Sequence, residues 1–285
     1  MRLGFGLGLQ YSKLSGGGNT DAFIIEVKTD NAGTSNNNQF QFTGAQGDYD
    51  VVAKQNDIVV ATFNDLSNQE TITLPSSGVY NLEIKAKEVN GFNRIAFDNG
   101  GDKLKITDIK QWGDVVWSSF NDAFFGCSNM LTTATDVPNL SNVTDMNDMF
   151  RNATIAIPDV SNWDVSSVTS MNSMFFGATS ANPDVSNWDI SSVTSMYYIF
   201  SNASSANPDV SNWDVSSVTN MSSMLVNSNL SVENLTSIYE NWSQLQLQQN
   251  VSFDAGTIKY NSSGQAGRDI LVNTYNWTIE DGGLV

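Results

Sequence analysis

Three tryptophans, Trp163, Trp188 and Trp213, recur at 25-residue intervals, and indole rings held in register could stack on sugar rings or aromatic ligands. Two series of carboxylates accompany them: Asp159, Asp184 and Asp209 form one, and Asp164, Asp189 and Asp214 the other. Stacked in columns, such carboxylates repel unless they are solvated, hydrogen-bonded or bridged by cations. Calcium is one reading. Asx turns with the neighbouring Ser and Asn are the other, and no EF-hand-like or RTX-like glycine pattern supports calcium. Paired acids could also cleave glycosides, but catalytic acids are normally singular and these recur with the scaffold. We therefore assign no catalytic, cofactor-binding or metal-ligating residue. The tryptophans are the candidate ligand column, with burial as the competing reading, since a repeating core would use the same Trp in every turn.

Composition narrows the chemistry further. The 285 residues include no histidine, which removes the commonest general base and zinc ligand. The single cysteine, Cys127, cannot form a disulfide within the chain, and its small core position, equivalent to Ala153, reads as inert. A net charge of −17 leaves no basic footprint for nucleic acid and disfavours an anionic membrane. No apolar run approaches the roughly 18 residues of a membrane span. The first ten residues resemble a signal peptide only superficially, because glycine interrupts the apolar stretch at every second position. No secretion address is expected.

The elements that must hold these groups fall into four regions. Residues 1–19 read as an extended Gly-rich assembly arm: Leu3, Phe5, Leu7 and Leu9 alternate with Gly4, Gly6 and Gly8, although a frayed terminus would look the same. Residues 20–110 carry β-rich runs at 22–27, 40–42, 49–53, 58–63, 70–74, 79–84 and 103–109, separated by turn signals. That spacing predicts a small β-sandwich, and the segment 71–84 resembles the strand–turn–strand of immunoglobulin-like PKD domains.

Residues 111–230 carry the repeats. Asp159-Val-Ser-Asn-Trp-Asp-Val-Ser-Ser-Val-Thr-Ser-Met returns with little change from Asp184 and from Asp209, each preceded in register by Pro158, Pro183 or Pro208. Val168, Met171, Met174, Phe175 and Ala178 fall at helical spacing behind Ser166 as a helix N-cap, and residues 160–165 suit a short strand. The expected fold is mixed α and β, with a solenoid of strand–helix turns. Residues 231–285 are expected to cap it, beginning with a helix through Leu235, Ile238, Tyr239 and Trp242.

The repeats resemble the BspA-like leucine-rich repeats of bacterial surface proteins, whose units read S-N-W-D-V-S-x-V-T-x-M-x-x-M-F. That resemblance implies adhesion, not catalysis, and the family also occurs among phage structural proteins. The combined expectation is a non-enzymatic bacteriophage virion protein: a head fibre, decoration or tail-associated protein. It would touch other virion proteins through residues 1–19 and a host-surface protein or glycan through the repeats. A homo-oligomer such as a trimer would suit symmetric attachment sites. A bacterial cell-surface adhesin is the alternative, and a carbohydrate-active enzyme the third reading.

Overall fold

The computed structural model describes residues 21–87 and 91–285. The arm residues Leu3, Phe5, Leu7 and Leu9 lie outside the described residues. Alternating apolar side chains build the first half of the fold. Strand β1 (Phe23–Lys28) buries Phe23, Ile25 and Val27. After β2 (Gln39–Gln41), strand β3 (Asp48–Gln55) buries Tyr49, Val51 and Ala53. Strands β4 (Ile58–Ser67), β5 (Thr71–Thr73), β6 (Val79–Ala86), β7 (Ile106–Gln111) and β8 (Leu131–Thr132) follow. Each run read as extended in the sequence overlaps one of β1 to β7.

Their assembly differs from the expected sandwich. Six strands form one sheet in the order β4-β3-β6-β1-β7-β8, while β2 and β5 make a separate two-stranded ribbon. Every pairing in the large sheet is antiparallel except the last, β7 with β8. In place of a second sheet of like size, Phe23 packs on Trp112 and Trp117, and Phe42, just past β2, packs on Tyr49.

The expected solenoid of strand–helix turns is likewise overturned. Among the described residues the regular secondary structure is mostly β-strand, and the two α-helices there, α1 (Val232–Trp242) and α2 (Gln265–Tyr275), both follow the recurring segments. Residues 160–165 form no strand, and Ser166 caps no helix: its hydroxyl bonds Asp164 at 2.6 Å. The physical reason lies in the backbone. An α-helix needs each N–H to reach the carbonyl four residues back. Here Met174, Phe176 and Ala178 bond three residues back, to Met171, Ser173 and Phe175. The intervening amides of Ser173, Phe175 and Gly177 bond instead to Tyr197, Ile199 and Ser201 of the next segment. Ser173 and Gly177 have φ of +54° and +66°, a left-handed geometry that stops a helix. A Cβ on Gly177 would also collide with the Asn152 side chain.

Successive segments lie side by side through parallel bridges that link Asp145, Ser170, Ser195 and Asn220 in turn. Parallel contacts continue from Met221 to Phe253 in β9 (Ser252–Asp254) and from β9 to β10 (Thr278–Glu280). One hydrophobic core runs from Phe23 to Trp277, with a file of rings through Phe124, Phe150, Phe175 and Phe200 at 5.6–5.9 Å. Past it, Asp281 fastens the tail by accepting from Tyr239 and Arg268, both at 2.6 Å.

Candidate functional site

The residues that recur most strictly are structural. Trp163, Trp188 and Trp213 are only 4%, 4% and 1% exposed, so no ligand can stack on their faces, and the ligand-column reading is corrected to burial. Each later indole N–H reaches back one segment: Trp188 donates to the Val160 carbonyl and Trp213 to Val185, both at 2.9 Å. Trp242 of α1 extends the series by donating to Val210 at 3.1 Å. The first, Trp163, leaves its N–H buried without a partner.

The carboxylate columns are local turns. Asp159, Asp184 and Asp209 each accept from the backbone and hydroxyl of the serine two residues on, as do Asp164 and Asp189. Asp214 accepts from the Ser216 amide in the same way. Those hydrogen bonds to serine hold Asp159, Asp164, Asp184 and Asp189 below the usual carboxylate range. Cys127 is fully buried, and burial pushes its thiol pKa up, away from the reactive thiolate.

What does not recur gathers on one face. Each segment has two left-handed positions, and the first is held by Asp148, Ser173, Tyr198 and Ser223, with φ of +51° to +60°. Small and Asx side chains suit that geometry, whereas a bulky one is strained by about 1–2 kcal/mol. Tyr198 is the bulky exception in the series and is 39% exposed, outside the hydrophobic core. Its neighbour Tyr197 interrupts a polar ladder. Asn147 Oδ1 takes the Ser170 hydroxyl and the Asn172 amide at 2.7 Å, and Asn172 Oδ1 takes the Ser195 hydroxyl and the Tyr197 amide. Tyr197 has no carboxamide with which to continue.

Both tyrosines, with Phe176, Arg151, Ser201 and Asn202, line an open cleft of about 520 Å³. The tyrosine rings meet edge to face at 5.2 Å, and Tyr198 meets Phe176 likewise at 5.9 Å. The Arg151 guanidinium lies between the rings of Phe125 and Phe176, at 4.8 and 5.0 Å, and is held by Asp148 at 2.9 Å. Aromatic faces beside a few fixed polar groups suit binding of a small ligand segment. The signal that could have found this cleft is departure from the repeat, at Arg151, Phe176 and the Tyr197–Tyr198 pair.

Asp122 stands in the same left-handed series, one segment earlier, with φ of +58°. Burial, then the charges of Asp98, Asp148 and Asp145, push its carboxyl up to about 6 against the pull of Arg94. A raised carboxyl pKa means the folded state holds the proton longer than the unfolded one. Stability should therefore fall as pH rises through about 4 to 6. Asp122→Asn is expected to recover on the order of 1 kcal/mol at pH ~7, after screening by solvent, and nothing near pH ~4. Urea melts at the two pH values check this.

Residues 118–252 match a family described as "Mycoplasma protein of unknown function, DUF285", which is related to the BspA-like repeat proteins. The match spans slightly under half of the chain and includes the whole cleft. No curated protein and no solved structure matches the chain.

Proposed function

We propose that this chain is a non-enzymatic binding protein displayed on a biological surface, with the Tyr197–Tyr198 cleft as its ligand site. One observation carries the reading: two large aromatic side chains, Tyr198 exposed and Tyr197 half-buried, line the cleft where their counterparts are small and polar, one at the cost of backbone strain. Strained, solvent-facing residues that the scaffold does not require are the kind that function retains. The stacked segments then act as a rigid platform, since their alternate amides are tied to neighbouring segments.

Two places of display are open. Similarity to a family described from Mycoplasma favours a bacterial cell surface. The alternation of Leu3, Phe5, Leu7 and Leu9 with glycine favours attachment to a phage particle through residues 1–19. One experiment separates these and tests the core proposal. Labelled full-length protein, a Tyr197→Ser/Tyr198→Ser variant and a chain lacking residues 1–19 are applied to panels of bacterial and animal cells and to purified phage particles. Saturable cell binding that falls at least tenfold in the tyrosine variant is expected. Particle docking lost only with residues 1–19 would identify the virion, and cell binding that ignores both tyrosines would remove the cleft as the site.

A further inference from the structure

We infer that the cleft takes a neutral pyranose sugar from a surface glycan, an inference that rests on the binding reading above. The argument begins with charge. Among the residues lining the cleft, Arg151 alone is charged; Asp148 already pairs with it, and its guanidinium lies over the Phe125 and Phe176 rings. An acidic sugar would meet no uncompensated cation there, and the chain's net charge of −17 would repel it from a distance. A neutral ligand incurs neither penalty.

Shape and polarity agree. A pyranose presents one face of C–H bonds and a rim of hydroxyls. Phe176 and Tyr198, meeting edge to face, offer an apolar surface to the first. Two neutral groups of the lining can meet the second: the Ser223 hydroxyl, which donates to Asp254, can still accept, and the Asn202 amide, which gives one hydrogen to the buried Ser201 hydroxyl, has a second to give. A peptide is less well served. The backbone amides of Ser173 and Tyr198 are already bonded to Tyr197 and Ser222 of the next segment, so they cannot pair with an added strand.

The test uses the full chain and a Tyr197→Ser/Tyr198→Ser variant, whose new pair reproduces Ser222 and Ser223 of the following segment. The variant therefore keeps a sequence that this backbone already accommodates. Phe176→Ser, copying Ser201, is a second variant of the same kind. Soluble oligosaccharides are titrated by NMR: a neutral set of hexoses, deoxyhexoses and N-acetylhexosamines, and the same cores capped with a uronate or sialate. Cell binding is measured in parallel after periodate or protease treatment of the cells.

The expected result is binding of one or more neutral sugars, at least tenfold weaker in both variants, with no gain from an acidic cap. Cell binding should fall with periodate and survive protease. Tighter, salt-sensitive binding of the capped sugars would overturn neutrality. Cell binding that depends on the tyrosines but is lost to protease and not to periodate would overturn the sugar and leave the binding reading standing. Binding indifferent to all three aromatic substitutions would sink both.

Discussion

A Lys105→Met chain is expected to lose about 3–5 kcal/mol of stability in a urea melt, the range for removing one partner of a buried ion pair. Lys105 and Asp102 both have fully buried side chains, with Nζ 3.7 Å from the carboxylate. The ammonium does most of its work elsewhere. It donates to the Ser35 carbonyl at 3.0 Å and hydroxyl at 2.7 Å, to the Asn36 carbonyl at 2.8 Å and to the Gln39 carbonyl at 3.0 Å. Asp102 holds the same loop from the other side, accepting the amides of Thr34, Ser35 and Gln41 at 2.8–3.0 Å. Together the two charges fix the approach to β2, whose Phe40 belongs to the core. Burial pulls the Lys105 pKa down, and Asp102 opposes it.

Methionine fills a similar volume but donates nothing, so several buried oxygens and a carboxylate lose their partner at once. Asp102→Asn should be costly for the matching reason. The double replacement should lose less than the sum, with a coupling of about 1–3 kcal/mol. A loss below about 1 kcal/mol for Lys105→Met would mean that backbone contacts alone hold the loop.

How far the sequence could be read depends on which backbone rule each segment obeys. Strands β1 and β3 were legible because period-two burial has one common explanation, and Phe23, Ile25 and Val27 fulfil it. Helix α1 was legible for a similar reason: Leu235, Ile238, Tyr239 and Trp242 are all buried, and the Ser231 hydroxyl accepts from the Asn234 amide at 3.1 Å. The recurring segments mislead because two conformations share a spacing. Val168, Met171, Met174, Phe175 and Ala178 point inward as a helical face would, but tight turns place them there. The distinguishing mark was present at the second left-handed position, where Asn152, Gly177, Asn202 and Asn227 follow one another. Residues of that type recurring at one position suit a left-handed turn better than a helix.

The cleft escaped for a different reason. The residues that repeat most strictly, Trp163, Trp188 and Trp213, are the most conspicuous in the sequence, and strict repetition is what a core demands. Tyr197 and Tyr198 break the pattern, and the Trp column itself gives no hint of them. Pairing across the sheet is not legible either, because residues 112–130 between β7 and β8 carry turn signals that do not specify a parallel partner strand.

Trp213→Ala is the sharpest test of that division between buried and exposed aromatics, with an expected loss of about 4–6 kcal/mol. Removing a buried Trp commonly costs about 3–5 kcal/mol through lost transfer energy and an unfilled cavity. Trp213 also lies parallel to Trp188, with centroids 6.3 Å apart and planes 3° from coincidence, and its N–H satisfies the Val185 carbonyl. Orphaning that carbonyl adds about 1 kcal/mol or more. Trp213→Phe keeps a ring and loses the hydrogen bond, so about 1–2 kcal/mol is expected, and the gap between the variants measures the packing. The loss should spread, because neighbouring segments satisfy each other's amides: Thr194 bonds Thr169, and Thr219 bonds Thr194. Protection from hydrogen exchange should therefore fall across adjacent segments together. Tyr197→Ser/Tyr198→Ser should do the opposite, leaving stability unchanged or raised while abolishing binding. A Trp213→Ala loss below about 2 kcal/mol would place that indole on an accessible face and return the Trp column to candidacy as a ligand surface.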